Sequence, residues 1–452
     1  MHEPTSTAIN HLGSWVSNLT WGDLPTTVQQ RHQLIWADYL TVASAGAQLP
    51  EYSELIKVWP TPSGPAPIPG TSVMTSAEVS AWIMGATGVA LEQDEGNKFA
   101  KGHPAAHVIP AVMALAFAHG SRGIDCATAV AAGYEVAARF GRATSLAPGV
   151  HPHGNWGVAA AAAGCARLLG LDASATAAAI DHGSGMAIAG HFSSAIDGNL
   201  VRNSWMGASA LSGIASAYLA AAGIASNTGT ANDTLGSILG TWDSSYLTDS
   251  LGSRWDCESN YFKIHAACAF THPPIDAMLQ VRTQHPKLAT LSADNVLSID
   301  VYTHYLAAGL NHQQPASRLS AMFSIPFVIA VALRSGEVTP RQHGAHERSD
   351  PDIAQLAERV QVHNDPELSN LLPHSRAARV RIELTNGEVF SAHVPNPIGD
   401  SDFAPLGRSN LEEKGARLIQ PDLLRNLWTF AEELPTAPSI TDLASLLRGG
   451  PS

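Results

Sequence analysis

Three short polar clusters interrupt a chain that is otherwise rich in alanine, and they hold residue types that can move protons. The first covers residues 91–107 and contains Asp94, Lys98 and the turn Gly102-His103-Pro104. Acidic side chains beside a histidine are a common arrangement for proton transfer near neutral pH. A charged surface loop is the alternative, because runs of charge are usually solvated. The position of this cluster between two apolar segments of a charge-poor chain favours proton transfer.

The second cluster, residues 149–157, places His151 and His153 directly before an alanine-rich helical segment. The start of a helix exposes free N–H groups and a positive potential, so this position suits an anionic ligand. The two histidines could instead form half of a metal site. No third ligand follows at a recognisable spacing, and we therefore predict no bound metal.

The third cluster, residues 197–207, places Arg202 at the start of another helix of small residues. Arg202 could be an ordinary surface residue. At a helix start, however, its guanidinium would add a two-pronged carboxylate contact to a site that is already electropositive. Taken together, the three clusters predict a pocket for a small polycarboxylate.

Helices must position these clusters, because the first 260 residues or so alternate helical patterns with Gly, Pro and Asn. Apolar residues recur at helical spacing in Thr27–Ala45, and Asp172 is a predicted N-cap. Small residues on every face of the later helices indicate packing on all sides. The uncharged stretch Ala208–Ser226 is about long enough to span a membrane, but its Ala, Ser and Gly content predicts a buried helix of a soluble protein.

The pattern changes after Lys263. Val296–Tyr305 alternates like a strand, segments 321–334 and 351–360 look helical, and Asn386-Gly387 between two strand patterns predicts a hairpin with a type I′ turn. Helical patterns return beyond about residue 408. The predicted fold is therefore mainly α: a large all-helical domain formed by both chain ends, residues 1–263 and 408–452, with a smaller α+β domain, residues 264–407, inserted between them.

Composition narrows the class of protein. The chain has 452 residues, of which 14% are charged, and a formal net charge of −13. This composition excludes intrinsic disorder, which needs many charges and little hydrophobicity. It also argues against nucleic-acid binding as a function, because that needs clustered Lys and Arg. Four scattered cysteines and the absence of a secretory signal predict reduced, buried thiols and a cytoplasmic location. A surface this poor in charge suggests that another subunit covers part of it.

Several short motifs together resemble the MmgE/PrpD family, which includes 2-methylcitrate dehydratases, cis-aconitate decarboxylases and an iminodisuccinate epimerase. Each motif is short, but their order and spacing make chance agreement improbable. The resemblance covers most of the chain and is carried by the acidic stretch before Gly102-His103-Pro104, His151-Pro152 ahead of Trp156-Gly157, Gly198 to Gly207, Lys263…Cys268…His272-Pro273, and Phe323-Ser324-Ile325-Pro326-Phe327.

The resemblance implies a cofactor-free homodimeric enzyme, with a helical domain and an α+β lid that enclose the active site between them. The residues it assigns to that site fall on both domains of this chain. They are Asp94, Asn97, His103, His151 and Arg202, with Lys263 and His272 from the start of the lid as further candidates. We add His153 to the substrate-binding set because it belongs to the second polar cluster.

One departure from the family shapes the predicted mechanism. Relatives often have lysine where alignment on Gly207 places Arg202, and arginine cannot donate a proton at neutral pH because its pKa is above about 12. Arg202 should therefore bind carboxylate, which leaves His103, His151 or Lys98 to move protons. Asp94 completes the predicted catalytic set.

The resulting hypothesis is a lyase of the dehydratase type that acts on a citrate-like or 2-methylcitrate-like acid. A base removes the proton α to a carboxylate, and a second group protonates the leaving hydroxyl. Decarboxylation of a cis-aconitate-like acid and epimerisation of an iminodisuccinate-like acid use the same proton transfers and stay open. A carboxylate-binding protein without activity is the alternative from another class.

Overall fold

Helices dominate the computed structural model, which describes residues 2–59 and 62–449. Short 3₁₀ and π turns join many of them. The α-helices are α1 (His2–Asn18), α2 (Thr26–Ala47), α3 (Pro50–Val58), α4 (Ala77–Gly88), α5 (Pro104–His119), α6 (Gly123–Ala143), α7 (Gly157–Leu168), α8 (Ala173–Gly185), α9 (Ser193–Ile196), α10 (Val201–Ala221), α11 (His272–Gln284), α12 (Tyr305–Ala308), α13 (Arg318–Met322), α14 (Ile325–Ser335), α15 (Ala345–Arg348), α16 (Pro351–Glu358), α17 (Pro366–Ser369), α18 (Arg408–Ala416) and α19 (Pro421–Glu433).

Within residues 2–59 and 62–449, strands form four small sheets, of which three have two strands each. The strands described there are β1 (Ala66–Pro67), β2 (Met74–Thr75), β3 (Gly96–Asn97), β4 (Thr144–Leu146), β5 (Gly240–Trp242), β6 (Asn260–Tyr261), β7 (Val296–Thr303), β8 (Val360–Asn364), β9 (Ala378–Leu384) and β10 (Val389–Val394).

The larger hydrophobic core, called here the helical core, is built around α7. This helix contacts α1, α5, α6, α8 and α10, so it is packed on all sides, as the small residues predicted. The helices approach closely: a Cβ added at Gly213 of α10 would lie 2.3 Å from the Cβ of Ala161. The Asp172 carboxylate accepts a hydrogen bond from the Ala175 N–H, which confirms it as the N-cap of α8.

Both chain ends contribute to the helical core, since α18 and α19 pack on α2. A second hydrophobic core takes nearly all of its residues from 267–394 and is called here the α/β core. In it α11 and α14 pack against the four-stranded sheet. The predicted domain boundaries stay a prediction, and the two cores are the physical basis for it.

The four-stranded sheet has the order β10-β9-β7-β8, with β8 parallel to β7 and the other pairs antiparallel. The predicted hairpin is confirmed as β9–β10, but the predicted type I′ turn is wrong. That turn needs two residues with positive φ, and of the pair only Gly387 has one, at 85°. Strand β8 was missed because Val360 continues the apolar spacing of α16, which ends at Glu358.

The uncharged stretch predicted as a buried helix corresponds mainly to α10. Of the helices in the described residues, none is both long enough and apolar enough to cross a membrane. One side of α10 is buried, whereas Leu211 and Tyr218 on the other side are exposed. The four cysteines are free and buried, as predicted.

Candidate active site

The first polar cluster forms a buried loop between α4 and α5, called here the acidic loop (residues 89–103). Strand β3 lies in its middle and pairs with β6, so that Gly96 faces Tyr261. The loop then turns back through a hydrogen bond from the Asn97 N–H to the Gly102 carbonyl. His103 occupies the N-cap position of α5, and Pro104 follows at the first helical position. The loop thus carries its acids and His103 into the protein interior.

His103 lies within ion-pair distance of Asp94 and forms a hydrogen bond with the Glu95 backbone. The Nδ1 of His103 lies 2.9 Å from an oxygen of Asp94 and 2.7 Å from the carbonyl oxygen of Glu95. Two acceptors around Nδ1 assign the ring proton to that atom, so Nε2 of the neutral ring is left as an acceptor. Burial opposes the charge of Asp94, but His103 and Lys263 outweigh it and hold the pKa of that carboxyl well below its usual range. Asp94 is therefore a fixed negative charge behind His103.

Glu95 has the opposite environment, although it is the next residue. Its carboxyl accepts hydrogen bonds from the Ala105 N–H at 2.6 Å and the Tyr134 hydroxyl at 3.1 Å. Burial raises the pKa of Glu95 to about 8, and the Ala105 N–H offsets only part of that effect. Glu95 is therefore neutral at pH 7 and holds the first turn of α5 in place.

The second polar cluster places its two histidines against His103. The ring of His153 lies 5.3 Å from that of His103 and 4.4 Å from that of His151, both in edge-to-face contact. The Nδ1 of His151 accepts the backbone N–H of His153, which leaves the proton of the neutral ring on Nε2. Burial, together with the charge of Arg202, lowers the pKa of both His151 and His153 well below the ordinary value. His151 is thus a neutral hydrogen-bond donor in a site where His103 is an acceptor.

Arg202 and Lys263 meet at one carboxylate, that of Glu92. Arg202 pairs with one Glu92 oxygen, and the Nζ of Lys263 lies 3.3 Å from the other and 3.7 Å from Asp94. All four side chains are buried. Burial opposes the charge on Lys263, but Glu92 and Asp94 outweigh it and raise the pKa of Lys263. Lys263 therefore stays protonated, which suits it to anion binding better than to proton transfer.

Two predicted site residues have their polar atoms committed elsewhere. Asn97 accepts the N–H groups of Phe99 and Ala100 and donates to the Asp256 carbonyl, so its amide shapes the acidic loop. The ammonium of Lys98 contacts Asp400 at 3.3 Å and Asp402 at 2.5 Å. It ties the acidic loop to the segment that follows the α/β core.

His272 lies at the start of α11, within electrostatic range of Lys263. Its Nε2 lies 3.1 Å from the Ala267 carbonyl oxygen, and its ring contacts His265. Burial lowers the pKa of His272 well below its ordinary value, and the charges of His265 and Lys263 act in the same direction. His272 is thus neutral and stands beside the charged cluster.

The structure brings together six of the nine predicted site residues: Asp94, His103, His151, His153, Arg202 and Lys263. The sequence interpretation missed Glu92 as the shared partner of Arg202 and Lys263. A local signal existed, because three acids stand within four positions of a charge-poor chain. The partners lie more than 100 residues away, however, so spacing alone could not identify which acid they share.

The arrangement fits acid–base chemistry. In the described residues, no group of three or more His, Cys, Asp or Glu side chains is placed to hold a metal ion. The site supplies a histidine acceptor backed by a carboxylate, a neutral histidine donor and two buried cations. Together these groups can remove a proton next to a carboxylate and stabilise the charge that develops.

Comparison with known proteins places this geometry in context. The MmgE/PrpD N-terminal domain model matches residues 10–241, and the MmgE/PrpD C-terminal domain model matches residues 265–425. A cis-aconitate decarboxylase from Aspergillus terreus is 25% identical over 426 residues, which cover 87% of this chain and 86% of the relative. The cis-aconitate decarboxylase-like protein oryM of Aspergillus oryzae is 23% identical over 480 residues, covering 99% and 98%.

Proposed function

This chain belongs to the MmgE/PrpD family, and on that premise we propose that it is a cofactor-independent lyase acting on a small polycarboxylate. The reaction starts with proton transfer at the carbon next to a carboxylate. Dehydration of a hydroxy acid of the citrate or 2-methylcitrate type is the leading assignment. The cytoplasmic location and the homodimer expected from the sequence are part of the same proposal.

One observation carries the assignment: His103 and His151 hold opposite tautomers. The Nδ1 of His103 donates to the Glu95 carbonyl and lies 2.9 Å from Asp94, so its Nε2 accepts, whereas the Nδ1 of His151 accepts, so its Nε2 donates. Dehydration uses both properties, because a base removes the α proton and a hydrogen-bond donor stabilises the departing hydroxyl until it is protonated. In this proposal His103 is the base and then delivers the proton it has taken up to the departing hydroxyl, which leaves as water, while the neutral Nε2–H of His151 donates a hydrogen bond to that hydroxyl.

The cations supply the electrostatic part of the mechanism. Removal of a proton next to a carboxylate places negative charge on the carboxylate oxygens, and preorganised cations in a dry site stabilise such charge strongly. Arg202 and Lys263 are the cations nearest to the histidines. Arg202 acts only by binding and orientation, since a guanidinium does not serve as a proton donor.

Decarboxylation is the second candidate, because the curated relatives are named cis-aconitate decarboxylases. Loss of carbon dioxide leaves a carbanion that an acid must protonate. The same histidines can serve, with protonated His103 as the proton donor and His151 as a hydrogen-bond donor. The two reactions differ in what leaves the substrate, which is water in one and carbon dioxide in the other.

Proton NMR in deuterium oxide separates the candidates. The enzyme is incubated with citrate, 2-methylcitrate, cis-aconitate and iminodisuccinate. We expect new vinyl signals from a hydroxy acid without release of carbon dioxide. Release of carbon dioxide from cis-aconitate would replace dehydration by decarboxylation, and deuterium exchange without net conversion would indicate epimerisation. The absence of exchange and conversion with all four acids would refute the enzyme assignment and favour a binding protein.

A further inference from the structure

One buried cation beside the site takes no part in the proton transfer and has no counter-ion among the described residues. Six Lys and Arg residues are buried among the residues that the structure describes. Five of them form ion pairs with Asp or Glu: Lys98, Arg139, Arg202, Lys263 and Lys414. Arg376 is the sixth, and within the described residues it forms none.

Arg376 is held in place by its surroundings and yet keeps unused donors. The residue is 5% exposed, and its Nε and Nη2 atoms are buried without a hydrogen-bond partner in the described part of the chain. Its backbone N–H donates to the Asn396 side chain at 2.9 Å. Burying an unpaired cation costs several kcal/mol, so a residue kept in this state points to an anion that is present for part of the time.

The guanidinium lies beside the active site. It stacks over the ring of Tyr261, with 4.3 Å between the Cζ atom and the ring centroid. Tyr261 covers Gly96 so closely that a Cβ there would lie 2.4 Å from the tyrosine hydroxyl. Gly96 is two residues after Asp94, and Tyr261 is two residues before Lys263, so one aromatic ring separates Arg376 from the acidic loop.

Two imidazoles also lie close enough to feel the charge of Arg376, those of His304 and His272. Burial lowers the pKa of His304 to about 4, and the charge of Arg376 acts in the same direction. Burial is the main cause of the lowered pKa of His272, followed by His265 and Lys263, and the charge of Arg376 acts in the same direction. Both imidazoles are therefore neutral at pH 7 and leave the Arg376 charge unbalanced.

The two nearer cations are already balanced. Arg202 and Lys263 face Glu92, and Lys263 also lies near Asp94, so two positive charges meet two negative ones. A carboxylate that approached this pair would compete with Glu92. The uncommitted guanidinium of Arg376 presents no such competition, and arginine matches a carboxylate with two parallel hydrogen bonds.

We propose that Arg376 binds a carboxylate of the substrate, at the side of the site that belongs to the α/β core, and so selects for acids with a second or third carboxylate. This inference rests on the proposed function. It adds a specificity-determining residue from the α/β core to the histidines of the helical core. Arg376 takes no part in the proton transfer.

Binding of unreactive acids tests the proposal apart from catalysis. Calorimetry measures the Kd of tricarballylate, methylsuccinate and butyrate, which carry three, two and one carboxylates. We expect the wild-type enzyme to prefer tricarballylate, and Arg376→Gln to weaken tricarballylate binding by about 10- to 100-fold while leaving butyrate binding unchanged. Arg379→Gln is the matched control, because Arg379 is three residues away, half exposed and paired with Asp365.

Stability separates binding from a structural role. The unliganded Arg376→Gln protein should melt at the wild-type temperature or above it, since the change removes an unpaired buried charge. Arg376→Lys is the second variant, for use even if the glutamine protein fails to fold. It keeps the charge without the guanidinium fork, and it should recover only part of the affinity.

Three results would overturn the inference: equal tricarballylate binding by wild type and Arg376→Gln, full affinity in Arg376→Lys, or an equal loss for all three acids together with lower stability. Failure of the wild-type enzyme to bind any acid would refute the proposed function itself. The two failures are therefore distinguishable.

Discussion

Two buried charge networks in the helical core differ in what their members contact. In the site network, the described partners of Glu92 and Asp94 are side chains, namely Arg202, Lys263 and His103. A second network is centred on Glu135 and Arg139 of α6. There the two Glu135 oxygens accept the backbone N–H groups of Asp256 and Cys257, each at 3.0 Å.

Arg139 shows the same attachment to the backbone. Its terminal nitrogens donate to the carbonyls of Asp249 at 2.8 Å and Arg254 at 3.1 Å, while its Nε lies 3.8 Å from Glu135. Charges fixed by backbone groups are part of the fold and cannot change partners without unfolding a segment. Charges fixed by other side chains can exchange a partner for a ligand. Equal burial thus accompanies two different tasks, support in one network and chemistry in the other.

The largest expected effect tests the supporting network. Arg139→Met removes the cation that pairs with Glu135, while Asp256 keeps Arg142 at 2.6 Å. Breaking a buried pair in this way costs about 3–5 kcal/mol. Denaturant unfolding measures the loss, and turnover per folded molecule should stay near the wild-type value. The exposed pair Arg122–Asp125 offers a control, because Arg122→Met should cost about 1 kcal/mol or less. A large loss of turnover in folded Arg139→Met would contradict the division of tasks.

The site network should show the reverse pattern. His103→Ala or His151→Ala should lower kcat by about 100-fold or more, because the first removes the base and the second removes a hydrogen-bond donor to the leaving hydroxyl. The unfolding transition should stay close to that of the wild-type protein. His119→Ala is a control, because His119 forms a hydrogen bond with Tyr218 at the surface and belongs to neither network. Near-normal turnover in both active-site variants would refute the assignment.

The raised pKa of Glu95 predicts that the free energy of unfolding depends on pH. Its pKa rises from 4.5 to about 8 on folding, so the folded state favours the protonated form. This contribution is complete below about pH 4.5 and is lost as the pH rises towards 8, at up to about 1.4 kcal/mol per pH unit. Glu95→Gln cannot ionise, and its stability should fall less steeply over this range than that of the wild type. Equal slopes in denaturant unfolding at pH 5 to 8 would contradict the assignment.

The smallest expected effect concerns Lys98, the predicted site residue that pairs outside the site network. Asp402 is its exposed partner, so Asp402→Asn should cost about 1 kcal/mol or less in stability. We expect kcat to change by less than about twofold, since Asp402 is exposed and Lys98 keeps Asp400 as its buried partner. Steady-state kinetics would show otherwise if Lys98 moved protons, because a loss approaching that of His103→Ala would place Lys98 in the site network.

The sequence predicted the parts of the molecule that depend on local rules. The cap at Asp172, the helix of small residues at α10 and the β9–β10 hairpin follow from neighbouring residues. The three polar clusters were found because their composition contrasts with plain helices around them. The turn at Asn386-Gly387 was predicted wrongly, because loop length also decides the turn type.

Roles that depend on distant partners were not visible. Glu92 matters because Arg202 and Lys263 converge on it, and a single sequence does not say which acid they meet. Arg376 stands out because it forms no ion pair with any acid that the structure describes, and only the folded chain reveals this. Asn97 and Lys98 show the opposite case. Both lie in a polar cluster that the sequence identified, yet their side chains contact groups outside the site network.

The backbone at Glu92 has a consequence for how easily this site could change its preference. Its φ of 52° is in the left-handed region, which glycine adopts freely and a glutamate does not. A single base change turns any glutamate codon into a glycine codon. This one substitution would relax the backbone of the acidic loop and remove a negative charge from between two cations. We therefore expect Glu92→Gly to shift the preference of the site towards more highly charged acids. Competition between acids of different charge, measured on Glu92→Gly, would show whether this shift occurs.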